Sequence, residues 1–114
     1  MASGQTLQQA LVEAMEEARD ANGKMVGLGR DLAVAEREYR MAKRKATLWE
    51  RDEQGHPVTL VPDLVKGRPD IADLCFKRDL AQTVYEANRE ALMLAKKRVD
   101  TIREMLAREW ACNG

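Results

Sequence analysis

An apolar or small residue recurs at alternating steps of four and three along the N-terminal half of the chain: Leu7, Leu11, Ala14, Ala18, Ala21, Met25, Leu28, Leu32, Ala35, Tyr39, Ala42, Ala46 and Trp49. Side chains repeating every 3.5 positions hold one seam of a helix toward a partner helix, whereas a strand repeats every two. A heptad line this long predicts one coiled-coil-like helix. Gly23, Gly27 and Gly29 interrupt the composition but not the phase. Each costs about 1 kcal/mol against Ala inside a helix, so the expectation is an unbroken helix, with room for a bend, whose glycines admit a closely packed neighbour.

Thr6 and Gln9 are spaced as a capping box, and Gly55 before His56-Pro57 reads as a stop. The first helix is therefore expected over about 6–54, a length of roughly 70 Å at 1.5 Å per residue. Residues 55–68 read as a connector, with an extended Val58-Thr59-Leu60-Val61 followed by one helical turn opened by Pro62 and closed by Gly67. Its valines and leucines should fold back onto helix ends or a neighbouring subunit. Pro69, with Asp70 and Asp73 in the first turn, opens a second helix expected over about 69–111, before Asn113-Gly114.

The second seam runs Leu74, Arg78, Ala81, Tyr85, Asn88, Leu92, Ala95, Val99, Ile102, Leu106. Arg78 and Asn88 interrupt it, and polar groups at such positions usually specify register or partner number. Only two Trp, two Tyr and one Phe are present. A core with so few rings and so many alanines calls for closely approached helices. The expected fold class is all-α: one domain over 1–114, a long antiparallel helical hairpin with a short connector turn.

Further apolar lines lie off these seams, Phe76, Leu80, Val84, Ala87, Ala91, Leu94 on the second helix and Val34, Met41, Leu48 on the first. One partner helix cannot cover both faces. Assembly into a four-helix or larger bundle is expected, most simply a dimer of hairpins, with Phe76, Leu80, Val84, Asn88 and Leu94 at the oligomer interface.

Lys plus Arg is 19 and Asp plus Glu is 19, so no net charge draws the chain toward nucleic acid or anionic lipid. The antiparallel arrangement should set Glu13, Glu16, Glu17 and Asp20 near Arg103 and Arg108. No stretch approaches the roughly 18 apolar residues of a membrane span, and the N-terminus resembles no signal peptide. A cytoplasmic protein with no membrane partner is expected, with Cys75 and Cys112 as free thiols.

Chemistry is sparse. A Ser or Cys nucleophile needs a base within reach, and the chain has one serine, Ser3, and one histidine, His56. Cysteines and His56 are too few and too far apart for a zinc site. Asp70 with Asp73 and Glu16 with Glu17 suit a helix start and a solvent face, and Gly27-Leu28-Gly29 lacks the strand-to-helix context of a phosphate loop. No catalytic residue, metal or cofactor is expected, and the protein reads as a non-enzyme.

Polar groups converge at the hairpin tip, where Lys66 and Arg68 precede a helix start and Lys77 and Arg78 follow it. Free N–H groups, the helix dipole and these cations suit a nucleotide-like anion. Asp70, Asp73 and Asp79 compete for the same cations, with Asp73 and Lys77 spaced as an i,i+4 pair. A second basic stretch, Arg37, Arg40, Lys43, Arg44, Lys45, is interrupted by Glu36 and Glu38 and has no aromatic row, which argues against nucleic acid. Lys96-Lys97-Arg98 fits a solvated face.

The run Gly55-His56-Pro57-Val58-Thr59-Leu60-Val61-Pro62-Asp63-Leu64-Val65-Lys66-Gly67, with Ile71-Ala72-Asp73-Leu74 and Phe76-Lys77-Arg78-Asp79-Leu80-Ala81, resembles small helical accessory proteins of Gram-positive phages and prophages. That resemblance covers a third to a half of the chain. It implies a short early-region phage protein, a class containing host-defence inhibitors, ligand-sequestering oligomers and recombination accessories. The expectation is thus an oligomer that sequesters an anionic ligand at its hairpin tips to counter host defence. The alternatives are an adaptor or inhibitor that offers a helical face to a host protein, and a nucleic-acid-binding recombination accessory.

Overall fold

The computed structural model describes residues 4–113. Ser3 and the closing Gly114 lie outside them. Helix α1 spans Gly4–Leu48 and runs into a π-helical turn, Trp49–Glu53; helix α2 spans Val61–Lys66 and helix α3 Pro69–Asn113. No strand occurs among the described residues. The fold is all-helical, and among the described residues no helix is long and apolar enough to cross a membrane.

Both heptad seams match the pattern of burial. From Leu7 to Ala46 every seam residue of α1 is buried or half-buried, as is every seam residue of α3 from Leu74 to Leu106. Long-range contacts divide the chain into two compact units, one of Met1–Val26 with Glu86–Gly114, the other of Gly27–Tyr85.

In the first unit Ala14, Val99 and Ile102 form a core to which Ala10, Leu11 and Leu106 are added. Ala14 is fully covered, and a side chain this small lets the α1 backbone come close to α3. Asn88 sits in the same seam. Its amide Nδ2 donates to the Ala21 carbonyl at 2.8 Å and lies 3.1 Å from Met25 Sδ. A polar seam residue with its donor satisfied sets the register of one helix on the other. On the rim, Arg98 pairs with Glu17 at 2.6 Å. The expected partners Arg103 and Arg108 are not the ones used; Arg108 lies 3.8 Å from Glu104, one turn away on its own helix. Arginine four positions from glutamate finds it without any tertiary contact.

In the second unit Ala46, Val61, Val65 and Ile71 make the core, with Tyr39 and Ala42 against it. Val61 and Val65 are the apolar face of α2, and Val65 is the largest fully buried side chain among the described residues. The connector thus folds back as expected, but its path differs. Residues 58–60 are a turn, not an extended run. Pro57 offers one carbonyl to the N–H groups of both Leu60 and Val61. This closes the chain at once into α2 and leaves Val58 outside.

Where α1 stops, Gly55 takes φ +66°, a left-handed conformation that only glycine adopts freely. His56 N–H then reaches back to the Glu50 carbonyl, one residue further than the 6→1 bond of a Schellman cap. The π turn before it has a consequence for the seam. Its Gln54 N–H to Trp49 carbonyl bond encloses one residue more than an α turn. The inward position moves accordingly: Glu50 is 8% exposed, while Trp49, the expected last seam residue, is 46% exposed. The Glu50 carboxylate meets His56 Nε2 at 3.5 Å.

Two further expectations change. Helix α1 is already formed at Gly4, so Thr6 stands within the helix and not at its cap. The glycines do not break α1, but a Cβ at Gly23 or Gly27 would meet nothing within 4 Å, so no neighbour within the chain requires them. Only at Gly29 does a ring approach, that of Tyr85, 3.5 Å from a Cβ built there.

Candidate functional site

A groove of about 900 Å³ opens in the second unit between α1, α2 and the first turns of α3. Tyr39, Lys43 and Thr47 face it from α1, Lys66 from the end of α2, and Phe76 and Arg78 from α3. The i,i+4 spacing of Tyr39, Lys43 and Thr47 puts these three on one face of α1. Behind them, Val65 and Ile71 connect the groove wall to the core.

Tyr39 is the centre of its charge arrangement. The Arg78 guanidinium lies 4.6 Å from the ring centroid and Lys43 Nζ 5.7 Å from it. Arg78 is half-buried and already engaged, with Nη2 donating to Asp79 at 2.9 Å and Nε 3.7 Å from Glu36. The hydrogen bond to Asp79 raises the Arg78 pKa further, against a smaller opposing effect of burial. Arg78 is therefore a fixed part of the wall. Cys75 Sγ, 3.7 Å from Arg78 Nη2 and 3.8 Å from Asp79, completes the cluster.

Lys43 and Lys66 differ from Arg78, being exposed and without an ion-pair partner among the described residues. Asp63 and Asp79 are the carboxylates on the lining. Asp79 is held by Arg78, and Asp63, which has no ion-pair partner among the described residues, offsets one of the two lysines, so the lining keeps a net positive charge.

The four cations expected at the tip do not form one cluster. Lys66 and Arg78 line the groove. Arg68 lines a smaller cleft of about 590 Å³ with Lys45, Trp49, Glu50 and Asp70, and Lys77 is exposed and lines neither. The Arg68 guanidinium sits 5.6 Å from the Trp49 ring centroid and grips Asp70 with two bonds, Nε to Oδ1 at 3.1 Å and Nη2 to Oδ2 at 3.0 Å. This hydrogen-bonded pair raises the Arg68 pKa and lowers that of Asp70. The i,i+4 pairing of Lys77 with Asp73 is not among the ion pairs of the described residues.

Sequence reasoning missed Tyr39, Lys43 and Thr47. The periodicity places Tyr39 in the seam and Lys43 in a basic run, and each also lines the groove. The available signal was the Tyr39–Lys43 spacing, an aromatic and a cation on one helical face. That basic run does not form a free row: Arg40 pairs with Glu36 at 2.8 Å and Lys43 lies over Tyr39.

Apart from Phe76, which lines the groove, the off-seam apolar residues lie outside it, and all face solvent. Phe76 is 66% and Leu94 62% exposed, and Leu80, Val84, Val34, Met41 and Leu48 are exposed with them. Asn88 stands apart from this row, half-buried against α1.

No protein family, curated protein or solved structure matches the chain.

Proposed function

We propose that the protein is a non-enzymatic, self-assembling binding protein of the phage-accessory kind, working in the cytoplasm by sequestering an anionic, nucleotide-like ligand against a host defence. In this reading α1 and α3 form an antiparallel hairpin, and hairpins associate into a four-helix or larger bundle. Contacts in each unit run in opposite chain order, Ala14 near Val99 while Ala21 meets Asn88, and Glu36 near Arg78 while Ala46 packs with Ile71. That order supports the hairpin.

The observation that carries assembly is the pair Leu80 and Val84, one helical turn apart and exposed on a stretch of α3 whose opposite side is already covered. Monomeric proteins seldom leave contiguous apolar surface of more than a few hundred Å² in water. A second copy is the favoured occupant, because a chain with 19 cations and 19 anions does not repel itself and equivalent pairs can meet across a two-fold axis. Light scattering on the full chain tests this. The native protein should have at least twice the mass of its 12.9 kDa chain, and Leu80→Glu with Val84→Glu should reduce it to the monomer while helicity by circular dichroism is retained. A monomeric native protein at micromolar concentration sinks the assembly.

A second reading, an adaptor or inhibitor for a host protein, draws on the same exposed pair. It takes precedence if the native chain is monomeric and co-purifies with one stoichiometric polypeptide.

A further inference from the structure

We infer that the groove between α1, α2 and α3 is a binding site for a nucleoside phosphate, with Lys43 and Lys66 taking the phosphate and the Phe76 ring taking the base. The inference rests on the sequestering reading above and assigns it a place and a ligand class.

Size comes first. Clefts of roughly 300–1,000 Å³ suit small organic ligands, and about 900 Å³ is enough for a nucleotide but short of a nucleic-acid track. Charge comes next. Of the lining cations, Arg78 is committed to Asp79 and Glu36 and stacked on Tyr39. Lys43 and Lys66 have no carboxylate of their own, and they approach the groove from α1 and from the end of α2. An ammonium on a flexible stem is a good phosphate ligand because it reaches as a point charge, without the planar alignment a guanidinium demands.

The third element is apolar. Phe76 lines the groove and is 66% exposed. A phosphate alone has no use for that surface, whereas a nucleobase does, through stacking worth about 1–3 kcal/mol per base. The Tyr39 face is already occupied by Arg78 and Lys43, which leaves Phe76 as the stacking ring. Pro62, Val65, Ile71 and Ala72 supply the remaining apolar lining. The Thr47 hydroxyl donates to the Lys43 carbonyl at 2.8 Å, and its oxygen still accepts.

Isothermal titration calorimetry of the full chain tests the site, using AMP, GMP, CMP, UMP, their triphosphates, inorganic phosphate and adenosine as probes. At least one nucleotide should bind, with inorganic phosphate and adenosine each weaker by about tenfold or more, since each makes only one of the two kinds of contact. Lys43→Gln, Lys66→Gln and Phe76→Ala should each weaken that nucleotide by about tenfold, the scale of one charge-assisted contact or one stacked ring. Lys77→Gln, which lines neither cleft, should leave it unchanged. Scattering mass and thermal midpoint of each variant guard against an effect through assembly or folding. Silence with every nucleotide at millimolar concentration overturns both the site and the sequestering reading. Nucleotide binding that survives Lys43→Gln and Lys66→Gln overturns this groove alone. Binding of inorganic phosphate as tight as any nucleotide, indifferent to Phe76→Ala, overturns the ligand class.

Discussion

Val65→Ala is the sharpest probe of how the second unit is held together. Val65 is 1% exposed and packs with Ala46, Val61 and Ile71. Removing two buried methyl groups forfeits about 1.6 kcal/mol of transfer free energy, at about 0.8 kcal/mol each. If the site does not collapse, a void of about 50 Å³ adds about 1 kcal/mol, at about 24 cal/mol per Å³. The expected loss is therefore ~2.5 kcal/mol, a large share of the stability of a small domain. Val58→Ala, at a site 72% exposed in the same connector, provides the control and should change stability by less than about 0.5 kcal/mol. Both are measured by urea denaturation at one fixed protein concentration, because an oligomer's midpoint depends on it. Trp49, on the lining shared with Ala46, reports this unit by fluorescence. Since Val65 also backs the groove, nucleotide affinity should fall with it. Equal losses for the two variants, or a loss under about 1 kcal/mol for Val65→Ala, would refute the packing argument.

Gly23→Ala and Gly27→Ala should each stabilise the protein by up to about 1 kcal/mol, since both lie inside α1 with open space where the methyl would go; a loss of stability or of oligomer mass would show that another copy packs there. Asn88→Ala, which removes the bond to the Ala21 carbonyl, should cost about 1 kcal/mol in denaturant melts, and an unchanged midpoint would deny it a register role. Asp70 has its pKa lowered by Arg68, so its contribution is present above the pKa of the unfolded chain and is lost as pH falls through the lower folded value. The acid limb of the melting temperature against pH should accordingly be shallower in Asp70→Asn, and superimposable limbs would rule that out.

The course of the two long helices was readable from residue order alone. A period of 3.5 requires that one face of each helix meet another helix, and the burial of Leu7 to Ala46 and of Leu74 to Leu106 follows it closely. The stop at Gly55 was equally local, since a left-handed residue after a helix is a glycine signature. Local rules failed at Trp49, where a π turn rotated the next residue inward, because the hydrogen-bonding pattern of a helix end depends on what covers it. They failed again for the tip cations. Lys66, Arg68, Lys77 and Arg78 lie close in the sequence, yet Arg68 and Arg78 turn to different aromatic rings, both on α1 or its terminal turn. Which ring a guanidinium finds, and that Lys43 of α1 joins Lys66 of α2 at one groove, depends on the fold-back of Val61 and Val65. Periodicity is a property of one helix and survives in the sequence. A binding surface is shared by segments far apart in the chain, and it exists only once buried apolar side chains have brought them together.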